Sequence, residues 1–305
     1  MRFRHLLHGL IVAFMAPLLW SCDKNDGDEL LTPPDGGSEV DVTDPTNTNA
    51  NATTDGAEAT LIEIPRLKGG VTNMFLVKRI SNGDINYCIE WNIAKKAQRW
   101  SAFRWDNSNS GGYVKREDNF LEDTDIPAAY RTTNEHYRGS GYTRGHICAS
   151  ADRWYNIEAN RQTFLYSNMQ PQLYDFNGGI WANLENKVRT WNKTSFRDTL
   201  YVAKGGTIDH SSDIIETTQT GLLVPKYFFM AILCKKNGLA NGGYKAIAFW
   251  MEHRDDYAND NYLTPYIVSV DRLEELTGID FFCNLPDAIE NVVEADVSPS
   301  LWGLN

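Results

Sequence analysis

Residues 142–189 constrain the fold of this chain most, because three polar motifs run directly into an amphipathic helix. The motifs are Arg-Gly-His at 144–146, Ser-Asn-Met-Gln-Pro-Gln at 167–172, and Phe-Asn-Gly-Gly-Ile-Trp-Ala-Asn-Leu-Glu at 176–185. The apolar side chains in and after the third motif recur at helical spacing, which indicates one buried helix face. They are Ile180, Trp181, Leu184, Val188 and Trp191. The sequence therefore predicts a strand that carries His146, a long connection, and a helix after Asn177.

Polar residues around this helix have predicted local positions. Asn177 precedes two glycines and the apolar stripe, so we expect it at or near the helix N-cap. There the positive end of the helix would face an anion. Glu185 and Arg189 are four residues apart, so we expect their side chains to pair on the helix surface.

The three motifs, with two flanking segments, resemble the DNA/RNA non-specific endonuclease family, which includes mitochondrial endonuclease G and secreted bacterial nucleases of the ββα-metal fold. The flanking segments are residues 118–142 and 269–282, so the resemblance covers roughly residues 70–305. The family hydrolyses phosphodiester bonds in DNA and RNA. The resemblance implies the same reaction and substrates here, with Mg²⁺ or Mn²⁺ as the metal.

The resemblance implies that three residues carry the chemistry. His146 would be the general base, a role that suits a side chain whose ordinary pKa is about 6.5. Asn177 would bind the metal through its amide oxygen, because Mg²⁺ prefers oxygen ligands and keeps several waters. Glu185 would hold metal-bound waters from outside the first coordination shell.

The resemblance gives supporting roles to further polar residues. Arg144 and Arg189 would contact phosphate, because a guanidinium can hold two phosphate oxygens at once. Asn168 would support the site through hydrogen bonds. Additional phosphate contacts are expected from Lys115, Arg116 and Arg138.

Thr143 departs from the family pattern, which usually has an aspartate immediately before Arg-Gly-His. A threonine can accept a hydrogen bond but carries no charge. Three hypotheses therefore stay open: a metal-dependent, sugar-non-specific endonuclease, a surface lipoprotein that binds nucleic acid with weakened catalysis, and a hydrolase of another phosphodiester. Some relatives form dimers, so a homodimer is a further alternative.

The first 21 residues resemble a lipoprotein signal peptide. Arg2 and Arg4 precede an apolar run, and Leu-Trp-Ser-Cys ends at Cys22. Such a segment is too short for a lasting membrane span. We expect cleavage before Cys22, lipid on that cysteine, and export to the cell envelope, at the outer membrane or cell surface. A plain secretory signal cleaved nearby is the alternative.

Residues 22–65 are predicted to be a disordered acidic tether, because a segment rich in Asp, Thr, Asn, Gly and Pro cannot bury a core. Residues 23–65 hold one Lys or Arg against eleven Asp or Glu. Residues 66–305 hold 26 basic and 29 acidic residues, so the catalytic domain is close to neutral. A near-neutral domain argues for local phosphate contacts and a cation rather than for tight long-range binding of DNA.

Residues 66–305 are predicted to form one α+β domain with a central, mostly antiparallel sheet flanked by helices. Strands are expected at 74–80, 85–93, 200–203, 227–234, 244–250 and 266–270, and helices at 158–166, 180–191 and 271–276, with Gly278 as a C-cap. Trp154, Trp181 and Trp191 are expected in the core rather than as base-stacking surfaces. The remaining cysteines leave disulfides and buried free thiols equally open; they are Cys88, Cys148, Cys234 and Cys283.

Overall fold

The computed structural model describes residues 43–257 and 262–304. The expected signal peptide and the lipid-bearing Cys22 lie outside the described residues. No helix within the described ranges is both long and apolar enough to cross a membrane.

A seven-stranded antiparallel sheet forms the centre of the domain, in the strand order β1-β2-β3-β6-β9-β10-β11. Two further antiparallel pairs, β4-β5 and β7-β8, lie outside it. The strands are β1 Asn73–Arg79, β2 Ile85–Asn92, β3 Ala97–Trp105, β4 Thr143–His146, β5 Met169–Gln172, β6 Thr199–Gly206, β7 Ile214–Thr217, β8 Leu223–Pro225, β9 Tyr227–Lys235, β10 Tyr244–Glu252 and β11 Ile267–Val268.

The helices lie between and after these strands. They are α1 Asn134–Tyr137, α2 Ile157–Gln162, α3 Tyr174–Phe176, α4 Ala182–Trp191, α5 Val270–Thr277 and α6 Asp287–Ala295. A π-helical segment, Asn177–Trp181, joins α3 to α4. Short 3₁₀ turns occupy Thr53–Asp55, Ala57–Thr60, Ala128–Tyr130, Ser150–Arg153, Tyr166–Asn168, Ser211–Asp213, Asn241–Gly243, Thr264–Tyr266 and Pro299–Trp302.

Successive side chains of a strand point to opposite sides, so the large sheet has two faces, and each of them is buried in its own apolar cluster. One face packs against α4, with Ile232 and Phe249 meeting Leu184 and Val188 in one apolar cluster. The other face packs against α5 and α6, which contribute Leu273 and Val293 among others to a second cluster. The arrangement confirms the predicted α+β architecture with helices on a mostly antiparallel sheet.

Most predicted elements are present with shifted ends, and Gly278 is the left-handed C-cap of α5. The predicted strand at 266–270 is wrong in extent, because β11 covers two residues and Ser269 already caps α5 by accepting a hydrogen bond from the Arg272 amide. Strand β3 was not predicted, since it places polar Gln98 and Arg99 among its buried residues. Helix α6 was also missed.

The predicted tether is wrong for its described C-terminal half, which packs on the domain. Asn51 is buried and donates to the carbonyl oxygens of Ala59 and Pro65, and Ile64 is fully buried in the core beneath α5 and α6. Asn47 donates to the Cys283 carbonyl. The composition argument fails here because amide side chains satisfy backbone groups, and because Leu61, Ile62 and Ile64 pack on the second apolar cluster.

All four cysteines in the described residues are buried free thiols. Burial raises the pKa of Cys148 to about 12 and that of Cys234 to about 11. A thiol of such high pKa is a poor nucleophile at neutral pH. The structure therefore favours the buried-thiol alternative over disulfides.

Candidate active site

The Arg-Gly-His motif lies on β4, which forms a short antiparallel pair with β5. His146 is paired with Met169 and Gly145 with Gln170. A side chain at Gly145 would collide with the buried side chain of Gln172, because an added Cβ would lie 2.2 Å from its Cδ. Glycine in the middle of the motif therefore leaves the space that the buried Gln172 side chain occupies.

His146 is half-buried against the aromatic rings of Phe164 and Phe120, at centroid distances of 4.9 Å and 5.8 Å. Its Nε2 is buried and has no hydrogen-bond partner among the described residues. Burial lowers the pKa of His146 to about 3, and the charges of Arg116 and Lys204 act in the same direction. The imidazole is therefore neutral at physiological pH, and Nε2 is the atom with a lone pair to offer.

Asn177 does not cap the helix, so that prediction is wrong. The helical path already begins at Tyr174, and Asn177 lies one turn inside it, with the helical angles φ −62° and ψ −49°. The chain then kinks at Gly179, where φ is −101° and ψ is −109°. The two glycines produce a π-helical kink instead of a cap, and such bulges are frequent at functional sites.

A chain of two hydrogen bonds orients the Asn177 amide. The Thr143 hydroxyl donates to the Gln172 carbonyl at 2.8 Å, because a carbonyl can only accept. The same hydroxyl oxygen then accepts from Asn177 Nδ2 at 3.0 Å. Asn177 Oδ1 consequently faces away from Thr143, and no group in the described parts of the chain donates to it. The uncharged hydroxyl of Thr143 thus orients the side chain of Asn177, the residue expected to bind the metal.

Glu185 and Arg189 do not form the predicted pair. Glu185 accepts a hydrogen bond from Lys204 Nζ at 2.8 Å, whereas Arg189 donates to Asp152 at 2.7 Å and to Asn186. Lys204 also lies 3.3 Å from Asp152. Because the buried charges of β6 and of the 3₁₀ turn at Ser150–Arg153 are nearer, each helix residue takes a tertiary partner instead of its helical neighbour.

The two carboxylates of this network have different protonation tendencies. Burial alone would raise the pKa of Asp152, but the charges of Lys204 and Arg189 hold it below the ordinary value. Burial raises the pKa of Glu185 above the ordinary value, and Lys204 opposes this only in part. Glu185 is therefore the member of the network whose charge is under-compensated by protein cations.

The predicted phosphate-binding residues are distributed unevenly around the site. Arg144 is exposed, with its guanidinium 4.3 Å from the centre of the Phe120 ring. Arg116 lies over Phe164, the ring that also contacts His146, and pairs with Asp118. Arg138 instead pairs with exposed Glu135 on the surface, and Lys115 is exposed. The structure therefore brings Arg144, Arg116 and Arg189 to the region of His146 and Glu185.

Asn168 is fully buried and holds the chain immediately after His146. Its Oδ1 accepts from the Cys148 amide at 2.9 Å, and its Nδ2 donates to the carbonyl oxygens of Cys148 and Thr163, each at 2.8 Å. The Asn168 carbonyl also accepts from the Ile147 amide. Asn168 is thus a positioning residue that makes the hydrogen bonds expected of it, and it does not face the open site.

Several residues of the site were missed by sequence reasoning. Asp152 and Lys204 carry no motif, and only their burial identifies them. His253 accepts from the Leu173 amide at the start of α3 with Nε2, at 2.7 Å, and its Nδ1 donates to the Pro225 carbonyl. This histidine therefore fixes the helix start that leads to Asn177.

Trp154 does not lie in the core, contrary to expectation. It is 36% exposed and packs edge-on against exposed Tyr113 at 5.0 Å. It lines a cleft of about 210 Å³ together with Asp152 and Arg189. The cleft is an aromatic and cationic surface directly beside the charge network, a combination that suits a nucleotide.

The residues present fit a hard divalent cation. Asn177 offers a free amide oxygen, Glu185 is an under-compensated carboxylate, and both belong to groups whose orientation is fixed by the hydrogen bonds above. Oxygen donors with room for retained waters are what Mg²⁺ or Mn²⁺ needs. The described residues supply no cysteine or histidine cluster at this place that would favour zinc.

Comparisons with known proteins give a consistent result. A family model described as DNA/RNA non-specific endonuclease matches residues 79–288. A nuclease of Nostoc sp. is 35% identical over 217 residues, which cover 69% of this chain and 76% of that protein. Human mitochondrial nuclease EXOG is 27% identical over 221 residues, which cover 69% of this chain but 60% of that protein.

The fold agrees with a solved structure. The crystal structure of an EndoG/EndoGI complex contains a chain that matches with a TM-score of 0.58 and 24% identity. The match covers 70% of this chain and 89% of that chain. It confirms the predicted ββα-metal fold.

Proposed function

This chain belongs to the DNA/RNA non-specific endonuclease family, and from that premise we propose that it is a metal-dependent, sugar-non-specific endonuclease acting on DNA and RNA. The single observation that carries this is the orphaned Nε2 of His146, a neutral imidazole nitrogen buried beside cationic side chains. The positive charges of Arg116 and Lys204 near this nitrogen can offset the negative charge of a phosphodiester. Membership of the family supports a nuclease, and we infer the substrates, the metal and the residue roles from the site.

Each residue has a defined task in the proposed reaction. His146 Nε2 accepts the proton of the attacking water, for which a neutral ring is required. Arg144 and Arg189 hold phosphate oxygens and orient the scissile bond. Lys204 keeps Glu185 in place from beneath, and Asn168 keeps the backbone after His146 rigid.

Asn177 Oδ1 would hold the cation directly, and Glu185 would hold its waters. When bound, the cation offsets negative charge on the phosphate and stabilises the leaving oxygen. Thr143 contributes by fixing which atom of the Asn177 amide is presented.

The alternative of a nucleic-acid-binding protein with weakened catalysis depended on the missing aspartate at Thr143. The hydroxyl of Thr143 makes two hydrogen bonds, one to each side of the site, so this position still organises the expected ligand. None of the described residues of the site favours binding without hydrolysis.

The test is nicking of supercoiled plasmid and cleavage of RNA by the purified chain, with Mg²⁺, with Mn²⁺ and with EDTA. We expect cation-dependent cutting of both substrates that His146→Ala abolishes. The matched control is His210→Ala, since His210 is an exposed histidine outside the site and its loss should leave cutting unchanged. Intact plasmid and RNA under every metal would refute the proposal.

We further infer that the chain is an exported lipoprotein, on the sequence of residues 1–22 alone. Lipid on Cys22 would anchor it to the cell envelope, with several acyl chains giving firm attachment. Metabolic labelling with a radioactive fatty acid tests this. Label on the wild-type chain and none on Cys22→Ala is expected, and release of unlabelled wild-type protein into the medium would contradict it.

A further inference from the structure

Five carboxylates gather where α5 and α6 meet. Asp271 and Glu274 lie on α5, Glu290 and Glu294 lie on α6, and Asp280 lies in the segment between the two helices. Both helices pack on the face of the large sheet opposite to α4. The cluster is therefore separated from His146 and Asn177 by the sheet and takes no part in the proposed reaction.

Three of these carboxylates converge on one point. Single oxygen atoms of Asp271, Glu274 and Glu294 all lie within 4.8 Å of one another. Two oxygens bound to the same Ca²⁺ ion can be at most about 4.6–5.2 Å apart, since each Ca–O distance is about 2.3–2.6 Å. The three oxygens could thus bind one ion with little movement of the helices.

Glu294 gives an independent indication of a missing ligand. Its side chain is 3% exposed, and its Oε1 is buried with no hydrogen-bond partner among the described residues. A buried carboxyl oxygen without a partner is costly, because buried polar groups are nearly always hydrogen-bonded, paired or bound to metal. This unsatisfied side chain belongs to the group whose oxygens converge.

Two arginines of this region have other partners. Arg272 on α5 pairs with Glu275, its neighbour on the exposed side of the helix. Arg66 donates to the carbonyl oxygens of Asn49 and Ala50. Asn49 donates to Asp280 and Glu290 but contributes no charge. Among the described residues no lysine or arginine pairs with the three converging carboxylates.

We propose that Asp271, Glu274 and Glu294 form a second cation site, distinct from the active site, that binds Ca²⁺. Only oxygen donors are present, which excludes a preference for zinc. Ca²⁺ fits better than Mg²⁺ because it accepts six to eight oxygens in irregular and bidentate arrangements, whereas Mg²⁺ demands a near-ideal octahedron. Asp271 is exposed, so solvent can complete the coordination shell.

The ion would fasten three parts of the chain together. It would join α5 to α6 directly, and Asn49 would extend the connection to the N-terminal segment through Asp280 and Glu290.

The test measures calcium binding and thermal stability in the full chain. Asn177→Ala serves as the background, because it removes the proposed active-site ligand and leaves the second site intact. We expect it to bind one Ca²⁺ in equilibrium dialysis. In about 10 mM Ca²⁺, above the range of weak extracellular sites, its Tm should rise by about 3 °C or more over EDTA.

Adding Glu294→Gln to this background should abolish both the bound ion and the rise in Tm. Should that variant not fold, Asp271→Asn replaces it, since Asp271 is exposed, and weakened binding is then expected. Absence of bound Ca²⁺ in the Asn177→Ala chain would overturn the proposal. Unchanged binding and stabilisation after Glu294→Gln or Asp271→Asn would do the same.

Discussion

Thr143→Val is the most informative single change, because it removes one hydroxyl and keeps the side-chain shape. In the wild-type chain the hydroxyl links the Gln172 carbonyl, at 2.8 Å, to the Asn177 amide, at 3.0 Å. Valine breaks both links. Asn177 could then rotate and present its NH₂ group, which cannot bind a cation, in place of its oxygen.

The structure sets the expected magnitude. Gln172 is fully buried, so its carbonyl loses its side-chain donor without access to water, which costs about 1–3 kcal/mol of stability. Residues that orient a metal ligand typically change metal affinity or activity by about 10–100-fold when replaced. We therefore expect Thr143→Val to reduce the rate at low Mg²⁺ by that factor, with partial recovery at high Mg²⁺.

Thr143→Ser is the matched control, since it keeps the hydroxyl and loses one methyl group. The measurement is the initial rate of plasmid nicking as a function of Mg²⁺ concentration, with denaturant unfolding of each variant in parallel. The nicking rate of Thr143→Ser should match that of the wild type within about threefold, because serine keeps the hydroxyl that orients Asn177. Equal Mg²⁺ dependence for the valine and serine variants would refute the orientation of Asn177 by this hydroxyl.

Three further predictions follow from buried groups of the site. Because burial lowers the pKa of His146 to about 3, kcat/KM should stay constant on acidification until below about pH 5, where protonation of the ring makes it fall. Arg116→Ala removes a neighbouring positive charge and should move this fall in kcat/KM to higher pH, whereas a fall near pH 6.5 in the wild type would contradict the burial of the ring. Lys204→Met leaves Glu185 without its cation and should lower the free energy of unfolding, measured in urea, by about 3–5 kcal/mol, with partial recovery on adding Glu185→Gln. A loss below about 1 kcal/mol would show that the Lys204–Glu185 pair does not stabilise the fold. Asn168→Ala removes three buried hydrogen bonds and should cost about 3 kcal/mol of stability and lower kcat more than it raises KM; wild-type kcat in a folded variant would exclude the positioning role.

The sequence was sufficient where local pattern and tertiary packing agree. The stripe from Ile180 to Trp191 is apolar at helical spacing, and it packs as α4 on the large sheet as expected. Strand β3 could not be predicted because its local pattern, with polar residues at buried positions, disagrees with its tertiary packing. Its Arg99 is buried only because Glu90 and Asp209 pair with it, and Asp209 is more than a hundred residues away in the chain. No window of sequence can show that compensation.

The same limit explains the errors in the site. Helical spacing correctly placed Glu185 and Arg189 on neighbouring turns, but an i,i+4 pair contributes only about 0.3–0.5 kcal/mol. Buried partners from elsewhere in the chain outcompete so weak a preference, as Lys204 and Asp152 do here. The prediction that Asn177 caps the helix was wrong for a similar reason. His253, which directly follows β10, accepts a hydrogen bond from the Leu173 amide and fixes the chain there, so the helix begins earlier, at Tyr174.

The near-neutral charge of residues 66–305 conceals an uneven pairing of charge on the two faces of the sheet. On the α4 face, Lys204 and Arg189 are paired with Glu185 and Asp152, and the exposed guanidinium of Arg144 lies beside Phe120 near His146, where it can contact a phosphate. On the other face, α5 and α6 hold a group of carboxylates that includes Glu294, with no lysine or arginine paired to the converging oxygens among the described residues. Steering of a polyanion depends on the local field and not on the net charge. Cations bound at either face would therefore act on different properties, catalysis on one and the anchoring of α5, α6 and the N-terminal segment on the other.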